Sequence, residues 1–252
     1  MSDHARMHSE LWTAEDAATY DDDVSDMYDA EALTATVDVL AELANGRRAL
    51  EFAVGTGRVA LPLARRGIDV TGVELSPPMI DVMRAKPGAD LVPVVCGDMA
   101  STRVAGTFGL VYLVFNTITN LLTQDAQVRC FENAAAHLEP GGSFLIETFV
   151  PALQRLHIGE SLVPFDVSDD HIGIDEYDVV NQMLISHHVS IRADGTSRSS
   201  GRFRYAWPAE YDLMARIAGL ERRHRWADWH RSPFVGTSTS HISVWQKPHW
   251  AG

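Results

Sequence analysis

The sequence predicts an α/β fold, a mostly parallel seven-stranded sheet with helices on both faces and an added antiparallel strand insertion. Three observations predict it. Five apolar runs of strand length alternate with helical patterns between Ala49 and Phe149, which requires right-handed crossovers and a sheet covered on both faces. After Val150-Pro151 the alternation stops, and two β-rich runs joined near Ala193-Asp194-Gly195-Thr196 follow with no helix between them. A last helix and two more strands then close the chain, bringing the sheet to seven.

At 252 residues and 46% hydrophobic content the chain can bury a full core. No apolar run reaches membrane-spanning length, and Met1-Ser2-Asp3-His4-Ala5-Arg6 lacks the basic-then-apolar order of a secretory signal, so a soluble cytoplasmic protein is expected. A formal net charge of −13 argues against sequence-independent binding to nucleic acid, which needs clustered Lys and Arg. The charge is uneven. Met1 to Glu31 carries ten acids against Arg6 alone, whereas Arg192 to Arg231 carries nine arginines and five acids. That basic stretch reads as a solvated face or a match to the acidic end, with an anionic substrate group as the alternative. Cys96 and Cys130 both fall in predicted elements and read as small core residues, not as a staple or a metal cage.

Taken in order, residues 1 to about 12 are polar and aperiodic. Trp12 to Tyr28 is acidic but contains Trp12, Tyr20 and Tyr28, which suits a lid or arm over a pocket. Leu33, Val37, Leu40 and Leu43 recur at helical spacing over Ala30 to Leu43, with Asp29 as candidate N-cap. Ala49 to Val54 is the first strand, and Val59 to Arg66 the first crossover helix, with Pro62 in its first turn and Gly67 as its stop. Asp69 to Leu75 is the second strand. Ser76 caps a helix over Pro77 to Lys86, which Pro87-Gly88 ends. Leu91 to Cys96 and Phe108 to Phe115 are the third and fourth strands. Asp125 to Leu138 is a helix, and Ser143 to Phe149 the fifth strand after Pro140-Gly141-Gly142. Tyr177 to Ile191 and Arg198 to Trp207 are the inserted strands, and Pro208 to Ala218 is a helix ended by Gly219. Glu221 to Asp228 and Ser240 to Gln246 are the last strands.

In such a sheet the ligand crevice lies at the carboxyl ends of the strands. Gly55-Thr56-Gly57, Glu74, Asp98 and Phe115-Asn116 all fall at such ends. Gly55 and Gly57 let a ligand lie against the backbone, and the amides at the following helix start suit an anionic or electron-rich group. Ala60 in the third glycine position keeps a dinucleotide fingerprint open, so the turn alone does not select the ligand. Glu74, seventeen residues after Gly57, stands where a carboxylate can accept both hydrogen bonds of a ribose diol. Asp98 can accept from an adenine amino group while the Met99 amide reaches a ring nitrogen. Glu51, charged inside the first strand, orients the glycine loop or receives an ammonium group through water.

At these residues the chain resembles the class I S-adenosylmethionine-dependent methyltransferases, which share a Rossmann-like core. Glu51-Phe52-Ala53-Val54-Gly55-Thr56-Gly57 corresponds to the glycine motif, Val73-Glu74-Leu75-Ser76 to the ribose acid, and Gly97-Asp98-Met99 to the adenine contact. Leu138-Glu139-Pro140-Gly141-Gly142 matches the turn before the fifth strand. The similarity covers roughly Tyr20 to Phe149 and departs at Glu51, where the family often has Asp, and at Val54, where it often has Cys or Gly. The resemblance implies S-adenosyl-L-methionine as cofactor, held by Tyr20, Glu51, Ala53, Gly55, Gly57, Arg58, Glu74, Leu75, Met79, Gly97, Asp98, Met99, Phe115 and Asn116. Among these, Tyr20 would cap the methionine end, Met79 would pack near the adenosine, and Phe115 and Asn116 would lie beside the methyl group. The implied activity is methyl transfer to an O or N nucleophile of a small molecule, in which the protein aligns and desolvates an already activated group. Two other classes stay open, an NAD(P)-dependent oxidoreductase on the same turn and acid, and a non-catalytic ligand-binding protein of the same fold.

On this reading residues 1–45 are an arm and covering helix, 46–150 the cofactor-binding core, 151–207 a substrate-covering insertion and 208–252 the helix and strands that complete the sheet. Candidates for a general base are His157, His187 and His188, although neighbours on a strand point to opposite faces, so the last two cannot share one site. Trp207, Trp226, Trp229 and Trp245 line an acceptor pocket or simply pack the core. Asp175-Glu176-Tyr177-Asp178 reads as a solvated run, and no metal site is predicted. The expected partner is a small-molecule methyl acceptor, with no nucleic acid and no membrane. The insertion serves equally as a pocket cover or as the face of a homodimer.

Overall fold

The computed structural model describes residues 13–23, 30–192 and 195–249. Trp12, Tyr28, the candidate cap Asp29 and Ala193-Asp194 of the expected hairpin connection lie outside the described residues. Helices α1 (Ala14–Asp23) and α2 (Ala30–Ala44) precede β1 (Ala49–Phe52). The crossovers run through α3 (Ala60–Arg65), β2 (Val70–Glu74), α4 (Pro77–Arg84), β3 (Val94–Cys96), β4 (Phe108–Leu113), α5 (Gln124–His137) and β5 (Leu138–Phe149). The insertion holds β6 (Leu162–Val167), β7 (His171–Asp178), β8 (Met183–Arg192) and β9 (Gly195–Arg204). Helix α6 (Pro208–Ile217), β10 (Glu221–Trp226) and β11 (Ser240–Gln246) complete the chain.

Seven strands form one sheet in the order β10-β11-β5-β4-β1-β2-β3. Within it β1 to β5 pair in parallel, and β11 joins β5 antiparallel, with Ile242 opposite Glu147. The insertion is a separate antiparallel sheet, β6-β7-β8-β9. The fold class is the one the sequence predicts.

Burial explains why the core strands read as continuous apolar runs. All six positions of β4 are buried, and its residues divide between two cores. Val111 and Leu113 join Phe131, Phe144, Tyr211 and Trp245 on the face covered by α5 and α6. Leu110 and Tyr112 join Leu40, Leu63 and Met83 on the face covered by α2, α3 and α4. Phe131 meets Phe144 edge-on at 5.0 Å between ring centres and Trp245 at 5.2 Å. The helix starts follow their caps: Ser76 Oγ accepts from the Met79 amide at 3.4 Å, and Thr123 Oγ1 from the Ala126 amide at 3.1 Å.

Four expectations change. The acidic arm contains a helix, α1, whose start is fixed by Thr13 and Asp16: each backbone amide donates to the other's side chain, at 3.0 and 3.1 Å. Cys130 is buried as expected but Cys96 is exposed, because β3 is the edge of the sheet. Third, Tyr177 to Ile191 is not one strand and the insertion has four strands. The Asp178 carboxylate accepts from the Val180 and Asn181 amides, both at 3.0 Å, and Gln182 takes φ +54°, so the chain reverses there. The preceding β6 carries Pro164, which its edge position tolerates. Finally, the arginine-rich segment finds acids nearby in the chain: Arg204 pairs with Glu210 at 2.7 Å and Arg225 with Asp212 at 2.8 Å. Arg231 instead reaches Glu42 of α2 at 2.5 Å. No helix among the described residues is long and apolar enough to cross a membrane.

Candidate active site

Beyond β1 the chain turns through Ala53 to Gly57 into α3. Gly55 has φ +56°, and a Cβ built on it would meet nothing within 4 Å, so this glycine faces open space where a ligand can reach the backbone. Gly57 has a different task. At φ +77°, a Cβ there would stand 2.9 Å from Met83 Cγ and 3.1 Å from Leu61 Cγ, so its missing side chain lets α4 pack against the turn. Three residues with side chains share the left-handed conformation at neighbouring strand ends: Ala53 at φ +53°, Phe115 at +60° and Asn116 at +58°. Backbone strain of this kind gathers at ligand sites.

Glu74 ends β2 and is almost fully buried. Its Oε2 accepts from the Gly55 amide and its Oε1 from the Ser76 amide, both at 2.8 Å. Burial pushes this carboxyl up, and the amides of Ser76, Gly55 and Leu75 pull it back. The acid thus fastens the glycine turn to the end of β2 and retains acceptor capacity for a diol. One strand over, the Gly97 amide donates to the Glu74 carbonyl at 2.8 Å. Asp98 Oδ1 accepts from the Ala100 amide at 2.8 Å, and Asn133 Nδ2 of α5 donates to the Met99 carbonyl, also at 2.8 Å. Leu75 is half-buried, and Met79 is buried in the first turn of α4.

Glu51 accepts from the Tyr112 hydroxyl at 2.8 Å and from the Ala60 amide. Burial pushes its carboxyl up to about 8, against the pull of Tyr112 and Arg58. It therefore ties β1 to the start of α3 and consumes one of the helix-start amides that the sequence left for a ligand. Helix α1 docks on the same turn. Thr56 Oγ1 donates to Asp21 Oδ1 at 2.6 Å, while Lys86 pairs with Asp21 and donates to the Thr56 carbonyl at 2.8 Å. Sequence reasoning missed Asp21 and Lys86, which carry no local signal because their partner lies 30 or more residues away. Burial pushes the Tyr20 hydroxyl up to about 12, with Arg58, Asp21 and Glu74 all bearing on it.

The Arg58 guanidinium lies 5.0 Å from the centre of the Phe115 ring, and its charge acts on Tyr20, Glu51 and Glu147. Glu147, on β5, was not among the expected residues. Its Oε2 accepts from the Phe115 amide at 3.0 Å and its Oε1 from Trp229 Nε1 at 3.3 Å. Burial pushes this carboxyl up, while Phe115, Trp229 and Arg58 oppose the rise. Asn116 Oδ1 accepts from the Phe149 amide at 2.7 Å, so the end of β4 is tied to β5 twice over. The signal for Glu147 was present: it is the one charge in Ser143-Phe144-Leu145-Ile146-Glu147-Thr148-Phe149, as Glu51 is in its own strand. Of the four tryptophans considered, Trp229 reaches this carboxylate. Trp245 is core, Trp207 is exposed, and Trp226 stacks on His224 at 4.9 Å.

The histidine candidates lie elsewhere. His157 is exposed in a loop. His187 bonds Glu176 at 3.1 Å and Ser200 at 2.9 Å on one face of the inserted sheet. His188 bonds His171 at 3.1 Å and Ser186 at 3.2 Å on the other, and His171 bonds Asp166 at 2.6 Å. These partners all belong to the insertion. The strand ends, by contrast, assemble an open-facing glycine, a ribose-suited acid, a second acid toward β3 and a cation flanked by carboxylates. That donor set fits a ligand with adenosine at one end and a zwitterionic amino acid at the other.

Comparison with known proteins agrees with the geometry. Residues 49–142 match the methyltransferase domain family. The structure of the CcbJ methyltransferase from Streptomyces caelestis superposes with a TM-score of 0.78 and is 38% identical, covering 90% of this chain and 95% of that one. The cypemycin N-terminal methyltransferase of a Streptomyces species is 28% identical over 216 residues, 82% of this chain and 88% of its own length. CalS10, an amino pentose methyltransferase from Micromonospora echinaspora, shares the fold with a TM-score of 0.67 at 20% identity, covering 94% of this chain and 97% of that one. The chain belongs to the S-adenosylmethionine-dependent methyltransferases.

Proposed function

We propose that this enzyme transfers the methyl group of S-adenosylmethionine to a nitrogen nucleophile of a small-molecule acceptor. The observation that carries the cofactor assignment is the Glu74 carboxylate joining Gly55 to Ser76 beside a glycine that opens onto free space. On this reading Glu74 takes the ribose diol, and Asp98 and the Met99 amide take the adenine between Leu75 and Met79. The amino-acid end lies over Gly55 beneath Tyr20, its carboxylate toward Arg58 and its ammonium toward Glu51. Gly57, Ala53 and Gly97 shape the backbone around it, and Phe115 and Asn116 wall the methyl end.

The bound cofactor supplies a methyl group already activated on a sulfonium, which leaves the chain the tasks of alignment and exclusion of water. Phe115 and Asn116 serve alignment, because their left-handed backbone is fixed by bonds to Glu147 and Phe149. The inserted sheet follows β5 directly, and its apolar base, where Phe149, Leu153 and Leu156 pack against Val163, Tyr177 and Leu184, serves to cover the acceptor. Nitrogen is favoured over oxygen by the relatives' reactions: an N-terminal methyltransferase, an amino pentose methyltransferase, the sugar N-methyltransferase KedS8 and the glycopeptide N-methyltransferase MtfA. An amine need only be neutral to attack, so none of His157, His187 and His188 is required as a base.

Calorimetric titration with S-adenosylhomocysteine, NAD and NADP tests the cofactor, and selective binding of the first is expected. A screen with methyl-labelled cofactor against amino sugars, short peptides and their hydroxyl counterparts tests the acceptor. Labelling of amines is expected, and labelling confined to hydroxyl compounds would overturn the nitrogen assignment.

A further inference from the structure

The sheet order separates two sides of the crevice. The residues assigned to the cofactor stand on β1, β2 and β3, and its methyl end reaches β4 at Phe115 and Asn116. Glu147 stands on the next strand in the opposite direction, β5, beyond Phe115 from the glycine turn. The residue as a whole is partly buried, and burial is the largest influence on its carboxyl. The hydrogen bonds from the Phe115 amide and the Trp229 indole use one acceptor position on each oxygen, and a carboxylate offers about four in all. The charged group facing Glu147 from the glycine turn is Arg58, and from the loop after β10 the neighbour is the neutral Trp229.

We propose that Glu147 is a catalytic residue of the acceptor site, which receives the acceptor's ammonium group and takes a proton from it at a carboxylate oxygen. The inference rests on the nitrogen-acceptor reading. In this step an N–H bond breaks and an O–H bond forms on Glu147; the electron pair stays on nitrogen as the attacking lone pair, and the positive charge of the ammonium and the negative charge of the carboxylate cancel. Burial raises the basicity of this carboxylate, which is the direction a proton acceptor needs.

Sinefungin provides a probe that needs no knowledge of the acceptor, since it carries an ammonium on carbon where the cofactor carries methyl on sulfur. Its amino-acid and adenosine ends are those of S-adenosylhomocysteine, so contacts to them cancel in the ratio of the two affinities. Wild-type protein is expected to bind sinefungin at least about tenfold more tightly than S-adenosylhomocysteine, as a hydrogen bond between charged partners requires. Glu147→Gln should bring the two affinities to within about twofold, whatever common loss the disturbed Phe115 turn imposes on both ligands, and Glu147→Asp should recover part of the preference. Equal weakening of both ligands in Glu147→Gln, with the sinefungin preference retained, would overturn the proposal, because that is the result of merely unsettling the Phe115 turn. Absence of a sinefungin preference in the wild type would overturn it without any variant. Binding of neither ligand by the wild type would remove the cofactor site and the proposal together, whereas the hydroxyl-only labelling described above identifies a failure of the nitrogen reading by itself.

Discussion

The two sheets of this enzyme are built on opposite terms. The central strands of the seven-stranded sheet are covered on both faces, so β1, β2 and β4 are buried at every position. The inserted sheet is covered only where its base meets the rest of the chain, and β9 is exposed over most of its length. In the apolar parallel strands of the first sheet a charged residue is conspicuous and consequential: Glu51, Glu74 and Glu147 each fix a backbone turn at the crevice. In the second, Asp166, His171, His188 and Ser186 bond one another in a line and touch none of those turns. Burial thus turns polar residues into a fixed frame at the crevice, whereas the half-solvated sheet pairs its polar residues with one another.

The difference should appear first in stability. Phe131→Ala empties the centre of one buried core and is expected to cost about 3–5 kcal/mol in denaturant unfolding. Phe165→Ala, on a ring 44% exposed that lies over Gly173, should cost roughly 1 kcal/mol. Equal costs would mean that the inserted sheet is as tightly held as the core.

The second comparison is in pH. The Glu51 carboxyl has its ordinary value of 4.5 in the unfolded chain and about 8 when folded. The folded protein therefore holds a proton that the unfolded chain has lost, and stability declines as pH rises from 4.5 to 8; below 4.5 both states are protonated and the decline is absent. Glu51→Gln escapes this decline. It should unfold like the wild type at pH 4 and be more stable by about 3 kcal/mol at pH 7, as read from thermal midpoints across the range. A constant difference between the two proteins at all pH values would show that Glu51 is not held protonated by its surroundings.

Next comes the division of labour between the sheets. Glu74→Ala should weaken S-adenosylhomocysteine binding by roughly 1.5–3 kcal/mol through loss of a charged acceptor, and His188→Ala should leave that affinity unchanged. Loss of binding in the His188 variant would tie the inserted sheet to the cofactor and break the contrast.

How far the sequence could be read follows the same line. The glycine turn, Glu74 and Gly97-Asp98-Met99 were legible because local rules place such residues at strand ends, and the strands themselves were legible because two-sided burial leaves unbroken apolar runs. Glu147 carried the same signal as Glu51 and was passed over within the fifth strand. The clamp of Thr56, Asp21 and Lys86 was not legible, since three distant segments meet only when α1 docks on the turn. The strands of the insertion were misjudged for the converse reason. An open sheet needs no apolar run, and Val179 and Val180 imitate a strand although they are 58% and 85% exposed.

That last misreading yields the smallest effect. The reversal between β7 and β8 depends on the Asp178 carboxylate, which is held below the usual carboxylate range by its bonds to Asn181 and accepts from two amides of the turn. Its removal leaves those amides to water and frees the turn to adopt other conformations. Asp178→Ala should therefore lower stability slightly but measurably, as loss of a local side-chain cap does elsewhere. Val180→Ser, although it removes a β-branched apolar residue, should change stability by less than about 0.5 kcal/mol, because the side chain gains almost no burial on folding. If paired denaturation curves gave the reverse order, Val180 would be packed in solution against something, and this face of the insertion would be covered after all.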